Sequence, residues 1–112
     1  MADSRFVNLT PHNLNLLRQD GTSLDIPKTG TIARVTSTST VVEVVEGIEL
    51  SATEYGEVIG LPEPDGSSIF VVSGLVKGRP GVAERGDVVS PGRLVRGDDG
   101  QPRGAAGVNV RL

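Results

Sequence analysis

The sequence predicts a mostly β fold: a small single-domain β-barrel or sandwich of about eight short strands, with at most one or two short helical turns. Three observations lead there. Val, Ile and Thr make up 29 of the 112 residues, and β-branched side chains suit a pleated, half-buried surface better than a helix. Fifteen Gly and seven Pro punctuate the chain so often that no long helix fits between them. Apolar runs and turn dipeptides then alternate along the whole length at the spacing of a small barrel.

Arg5 to Leu9 reads as a first strand, ended at Thr10-Pro11 because Pro lacks a ladder donor and restricts its predecessor. Asn13 to Arg18 and Ser23 to Ile26 flank an Asp20-Gly21 turn, the strongest hairpin signal in the chain. Pro27 stops the returning strand, and Lys28-Thr29-Gly30 turns it. Thr31 to Thr40 alternates in part and ends in a Thr/Ser run, which reads as an edge strand or extended hairpin. Val41 to Glu46 alternates loosely before Gly47. Ile48 to Tyr55, free of Gly and Pro, is the most helix-compatible piece. Glu57 to Leu61 reads as a short strand before Pro62-Glu63-Pro64. Asp65-Gly66 turns the chain into Ser68 to Ser73, the clearest buried strand. Leu75-Val76-Lys77 suits one helical turn, and Gly78 to Asp87 an ordered loop or a flap. Pro91-Gly92 reads as a turn into Arg93 to Arg96, and Asp98-Asp99-Gly100 as a hairpin turn into Arg103 to Arg111.

Composition also excludes functions. With no Cys and one His, the chain offers no thiolate nucleophile, no Cys-ligated zinc and no multi-histidine metal site, so no cofactor or metal is expected. No apolar run approaches the ~18 residues of a membrane helix, and the opening lacks a basic stretch followed by an apolar one, so secretion is not suggested. A net charge of −3 argues against generic nucleic-acid binding, which depends on neutralising phosphates. The expected location is the cytoplasm.

The charge is unevenly placed. Residues 1–76 hold four cations and ten anions, whereas residues 77–112 hold seven cations and four anions. Six of those seven are Arg, whose planar fork suits carboxylate or phosphate. The basic segment either pairs with the acidic one inside the fold or forms a docking face.

Asn8-Leu9-Thr10-Pro11-His12 resembles the opening of a group of short bacteriophage and prophage proteins that begin with the same five-residue run. Further likenesses are Ala33-Arg34 after the Pro27 and Gly30 turn, Leu61-Pro62-Glu63-Pro64 before Phe70 to Ser73, Arg85-Gly86-Asp87-Val88, Pro91-Gly92, and Val95-Arg96 with Gly100. Together they span most of the chain, which departs from the group's pattern in the extra Gly and Pro around Gly78 to Gly81. The resemblance implies a phage or prophage origin and carries no established activity.

Asn8, Thr10 and His12 would share one face if the first strand ran on through Pro11, presenting an amide, a hydroxyl and an imidazole to a polar ligand. Alternatively they form a turn in which the Asn and Thr side chains satisfy backbone groups. Arg34, Arg93 and Arg96 either converge on an anion beside Ser73 and Asn8, or form surface and intrafold ion pairs with Glu43, Glu46 or Asp87. The leading expectation is a non-enzymatic protein that binds, and sequesters, a small anionic, nucleotide-like ligand through Asn8, Thr10, His12, Arg34, Ser73, Arg93 and Arg96. The second is a protein-interaction module, a virion accessory subunit or an inhibitor of a host protein, presenting the 35–45 stretch as an open strand edge, alone or as a homo-oligomer. The third is a small hydrolase using His12 with Ser73 and Asp87, although Ser73-Gly74 lacks the elbow motif of such enzymes.

Overall fold

The computed structural model describes residues 4–111, and their architecture is all-β apart from one helical turn. The strands are β1 (Phe6–Asn8), β2 (Leu14–Leu17), β3 (Ser23–Ile26), β4 (Arg34–Val45), β5 (Ile48–Ile59), β6 (Ile69–Val71), β7 (Val88–Arg96) and β8 (Pro102–Asn109), with α1 (Gly74–Lys77) between β6 and β7. Six of them form one sheet in the order β1-β6-β7-β8-β2-β3, and β4 and β5 pair only with each other. The six-stranded sheet nearly closes into a barrel. Asn8, at the end of the first strand in that order, donates from Nδ2 to the carbonyl of Ile26, at the end of the last, at 3.0 Å.

Local chemistry explains most of these elements. The β2–β3 hairpin pairs Leu14 with Ile26 and Leu16 with Leu24. In its turn Asp20 Oδ1 accepts from the Thr22 N–H and hydroxyl at 2.9 and 2.6 Å. Asp65 repeats the device before β6, accepting from the N–H groups of Ser67 and Ser68 and from the Ser68 hydroxyl. Strand β6 lies between β1 and β7, parallel to both. Parallel neighbours need a crossover of a dozen or more residues, and residues 72–87 supply it between β6 and β7. Ser73 caps α1 within that crossover, its side chain accepting from the Val76 N–H. Val72, Val76 and Val82 of the crossover pack with Leu9, Ala33, Phe70 and Val88 in the main core. A smaller cluster of Leu16, Ile26 and Ala105 fills the space under β2, β3 and β8.

The structure corrects several expectations about elements. Ile48 to Tyr55 is not helical but is most of β5, and Glu57 to Ile59 continues it rather than forming a separate strand. The cause is the turn at Glu46-Gly47, where both residues have positive φ, 52° and 80°. That is the geometry of a two-residue hairpin turn matched to strand twist. Pro91-Gly92 is not a turn but lies inside β7, with Pro91 opposite Val108. There β7 has run past its pairing with β6, which ends at Val89, so the missing Pro N–H breaks no ladder on that side.

The β4–β5 hairpin stands out from the body. Each strand has 12 residues, so neither fits the short-strand expectation, and each spans roughly 40 Å at the usual rise. Only its root is covered, where Val35 and Val58 pack on the main core beside Leu61. Gly60 seats that root: its φ is +81°, and a Cβ there would lie 2.5 Å from the Ile32 carbonyl oxygen. The radius of gyration is 16.9 Å, against roughly 13 Å for a compact chain of this length.

Candidate functional site

Asn8 is buried completely and Thr10 nearly so. The chain leaves β1 at Asn8, so Asn8, Thr10 and His12 do not alternate along one strand face. The Asn8 amide instead organises the turn that follows. Its Oδ1 accepts from the Thr10 N–H at 2.9 Å and hydroxyl at 2.6 Å. Its Nδ2 donates to the carbonyls of His12 at 2.7 Å and Ile26 at 3.0 Å. All of the amide's strong hydrogen-bonding capacity is directed at the protein's own groups, and the His12 ring projects from an exposed residue.

The remaining sequence-predicted residues are not gathered around this turn. Asn8, Val71 and Val89 form one row across β1, β6 and β7. Arg93 and Arg96 lie four and seven residues further along β7, roughly 13 and 23 Å away at the usual rise. Arg96 Nη1 donates to the Gly100 carbonyl within its own hairpin at 2.9 Å. The Ser73 hydroxyl is taken up by the helix cap. Arg34 is the one that faces a hollow, a space of about 350 Å³ lined also by Gly30, Ile32, Ile59 and Gly60 at the root of the β4–β5 hairpin. None of the other six lines it.

The same scatter separates the residues considered for hydrolysis. Asp87 Oδ1 and Oδ2 accept from Arg85 at 3.0 and 2.7 Å, and that contact holds the Asp87 carboxyl below its ordinary range. Among the described residues, no hydrogen bond joins Asp87, His12 and Ser73 to one another.

Arg85–Asp87 is also the only salt bridge among the described residues. The acidic first part and the basic last part of the chain are therefore not matched by direct pairs between them. From Val35 to Ile59 the hairpin carries Glu43, Glu46, Glu49, Glu54 and Glu57 and no Lys or Arg. Every residue from 36 to 57 is exposed, including Val42 at 66%, Val44 at 60% and Ile48 at 65%. Pairing puts Glu43 opposite Leu50, Val45 opposite Ile48, Thr40 opposite Ala52 and Thr38 opposite Glu54. Because alternate strand residues share a face, one side of this arm presents Val45, Ile48, Leu50 and Ala52 with Glu43 and Glu54 beside them.

Two cations that sequence reasoning missed support the architecture. Lys77 is fully buried, and its Nζ donates to the carbonyls of Val82, Ala83 and Arg85 at 3.1, 3.2 and 2.8 Å. These bonds order the Gly78 to Asp87 segment as a packed loop. Burial, and after it the charge of Arg111, push the Lys77 ammonium below its ordinary 10.5. Arg79 lies 5.6 Å from the centre of the Tyr55 ring and steadies the root of the arm by a cation–π contact. No sequence pattern marks Lys77, since a lysine beside glycines usually lies in water.

No family model matches this chain, and neither does any curated protein or solved structure. No helix among the described residues is long and apolar enough to cross a membrane.

Proposed function

We propose that this protein is a non-enzymatic protein-interaction module that uses the β4–β5 arm to dock on a protein surface. The observation carrying this reading is the uninterrupted exposure of residues 36–57. A free two-stranded ribbon is marginally stable in water, and its open edges and apolar side chains invite association. A chain that keeps Val45, Ile48 and Leu50 on such a ribbon gains most from them when a partner covers them. With the phage resemblance, the reading becomes a virion accessory subunit or an inhibitor of a host protein, acting in the bacterial cytoplasm.

A photo-crosslinking residue at Ile48, compared with one at exposed Gln19 in the β2–β3 turn, tests it in bacterial cells. The expected result is a protein adduct specific to the Ile48 position, with the crosslinked peptide identified by mass spectrometry. Absence of any protein adduct from the arm, with the protein folded and expressed, overturns the reading.

A second reading keeps the small anionic, nucleotide-like ligand but rests on Arg34 alone, whose guanidinium has no hydrogen-bond partner among the described residues and borders the hollow at the arm's root. A nucleotide held there at 100 times its dissociation constant would stabilise the fold by about 2.7 kcal/mol. The stabilisation should vanish in Arg34→Ala. If wild-type protein shows no stabilisation by nucleotides, this reading is lost.

A further inference from the structure

We propose that the surface receiving the arm belongs to a second copy of this chain: the acidic, apolar face of one arm lies across the β7–β8 hairpin of the other molecule. This rests on the docking reading above and names the partner. Two features of the receiving surface match the arm.

The first is shape and polarity. A hollow of about 420 Å³ opens beside β2, β7 and β8, with Leu14, Pro91, Leu94 and Pro102 among its lining residues and Arg103 bordering it. Leu94 is 51% exposed there. An apolar strip of Val45, Ile48, Leu50 and Ala52 is the complement such a floor requires.

The second feature is charge. Arg103, which lines the hollow, makes no side-chain hydrogen bond among the described residues, and Arg96, two residues beyond Leu94 and so on the same face of β7, bonds only a carbonyl. Glu43 and Glu54 of the arm likewise have no ionic partner there. Opposite charges left unmatched within one molecule match across two. Arg is suited to this, because its fork accepts a carboxylate in two parallel bonds and is weakly hydrated.

Size is consistent with a stable pair. Ten residues on each arm strand, 36–45 and 48–57, make a face roughly 33 Å long and about 10 Å wide, so a face given and a face received together approach the roughly 800 Å² that each partner contributes to a standard interface. If each molecule gives its arm and receives the other's, the contact is made twice and closes with two-fold symmetry, leaving no unpaired arm to propagate a filament.

The test is sedimentation of the full-length protein over a range of concentrations at low and high salt. The wild type is expected to be a dimer that weakens as salt screens the Glu–Arg contacts. A Glu43→Arg/Glu54→Arg variant and an Arg96→Glu/Arg103→Glu variant should each be monomeric with native circular dichroism. Mixed together they should form a heterodimer, since each reversed arm then meets a reversed receiving surface. A wild type that stays monomeric at every concentration overturns the inference, as does a dimer that both variants retain. In the Ile48 crosslinking experiment, an adduct to this chain's own β7–β8 peptides is expected. An adduct to a different protein overturns the second-copy inference while leaving the docking reading intact.

Discussion

Lys77→Met changes one charged group while nearly preserving side-chain length and bulk, so its effect isolates the buried ammonium. In the native structure that group serves three carbonyls, at 2.8, 3.1 and 3.2 Å, from inside the crossover between β6 and β7. Hydrogen bonds to a charged group contribute about 1.5–3 kcal/mol each, so three give roughly 4.5–9 kcal/mol. Taking the ammonium out of water costs several kcal/mol and offsets much of this. The variant escapes the desolvation cost but strands three carbonyls, each costing about 1–3 kcal/mol where it stays unsatisfied in a buried place, for a net loss of about 3–5 kcal/mol. For a chain of this length that corresponds to a fall in melting temperature of roughly 12–20 °C. Urea and thermal unfolding followed by far-ultraviolet circular dichroism measure it. Proteolytic cleavage should also appear within residues 78–87, which lose their tie. A loss below about 1 kcal/mol with the loop still protected would refute the argument that Lys77 holds the crossover together.

The Asn8 amide gives a second expectation: Asn8→Ala should cost about 3–4 kcal/mol, because the Ile26 carbonyl and the Thr10 N–H lose their partner in a buried place. Urea unfolding measures this, and an unchanged midpoint would refute the role given to the amide in closing the sheet. Acid should also weaken the fold in a definite window. Hydrogen bonds from the Ser68 hydroxyl and the N–H groups of Ser68 and Ser67 lower the Asp65 carboxyl from 3.8 to about 2, and Arg85 lowers that of Asp87. Both groups bind protons more weakly folded than unfolded, so their stabilisation is complete above about pH 4 and is lost as pH falls towards 2. Urea midpoints at pH 5 and pH 2.5 should therefore differ more in the wild type than in Asp65→Asn; equal differences would contradict the assignment.

Much of the fold was legible because turn chemistry is local. Asp20-Gly21 and Asp65-Gly66 carry their own hydrogen-bonding side chains, so the β2–β3 hairpin and the entry to β6 could be read from a few adjacent residues. Ser68 to Ser73 was readable as buried because its run of apolar residues lacks the alternation of a strand with one wet face. The Glu46-Gly47 turn was harder, since Glu is an unusual residue for positive φ, and without that turn the Ile48 to Tyr55 segment had no visible partner strand. Of the candidate site, the turn alternative for Asn8, Thr10 and His12 and the open-edge alternative for residues 35–45 were both on the page in the sequence, but nothing there chose between them and their rivals.

The sequence by itself determined the β character, the turns at Asp20-Gly21, Asp65-Gly66 and Asp98 to Gly100, the single-turn helix after Ser73 and the separation of acidic from basic residues. These follow from side-chain branching, from Gly and Pro, and from side chains that bond their own neighbouring backbone. Tertiary structure alone decided that Asn8 closes the sheet onto Ile26, that Lys77 is buried, and that the Val-rich hairpin of residues 34–59 stands in solvent rather than joining the six-stranded sheet. Each depends on which distant groups arrive beside a residue: an amide or an ammonium can be buried only where chain folding delivers carbonyls to it, and an apolar strand is covered only where another strand or another molecule lies against it.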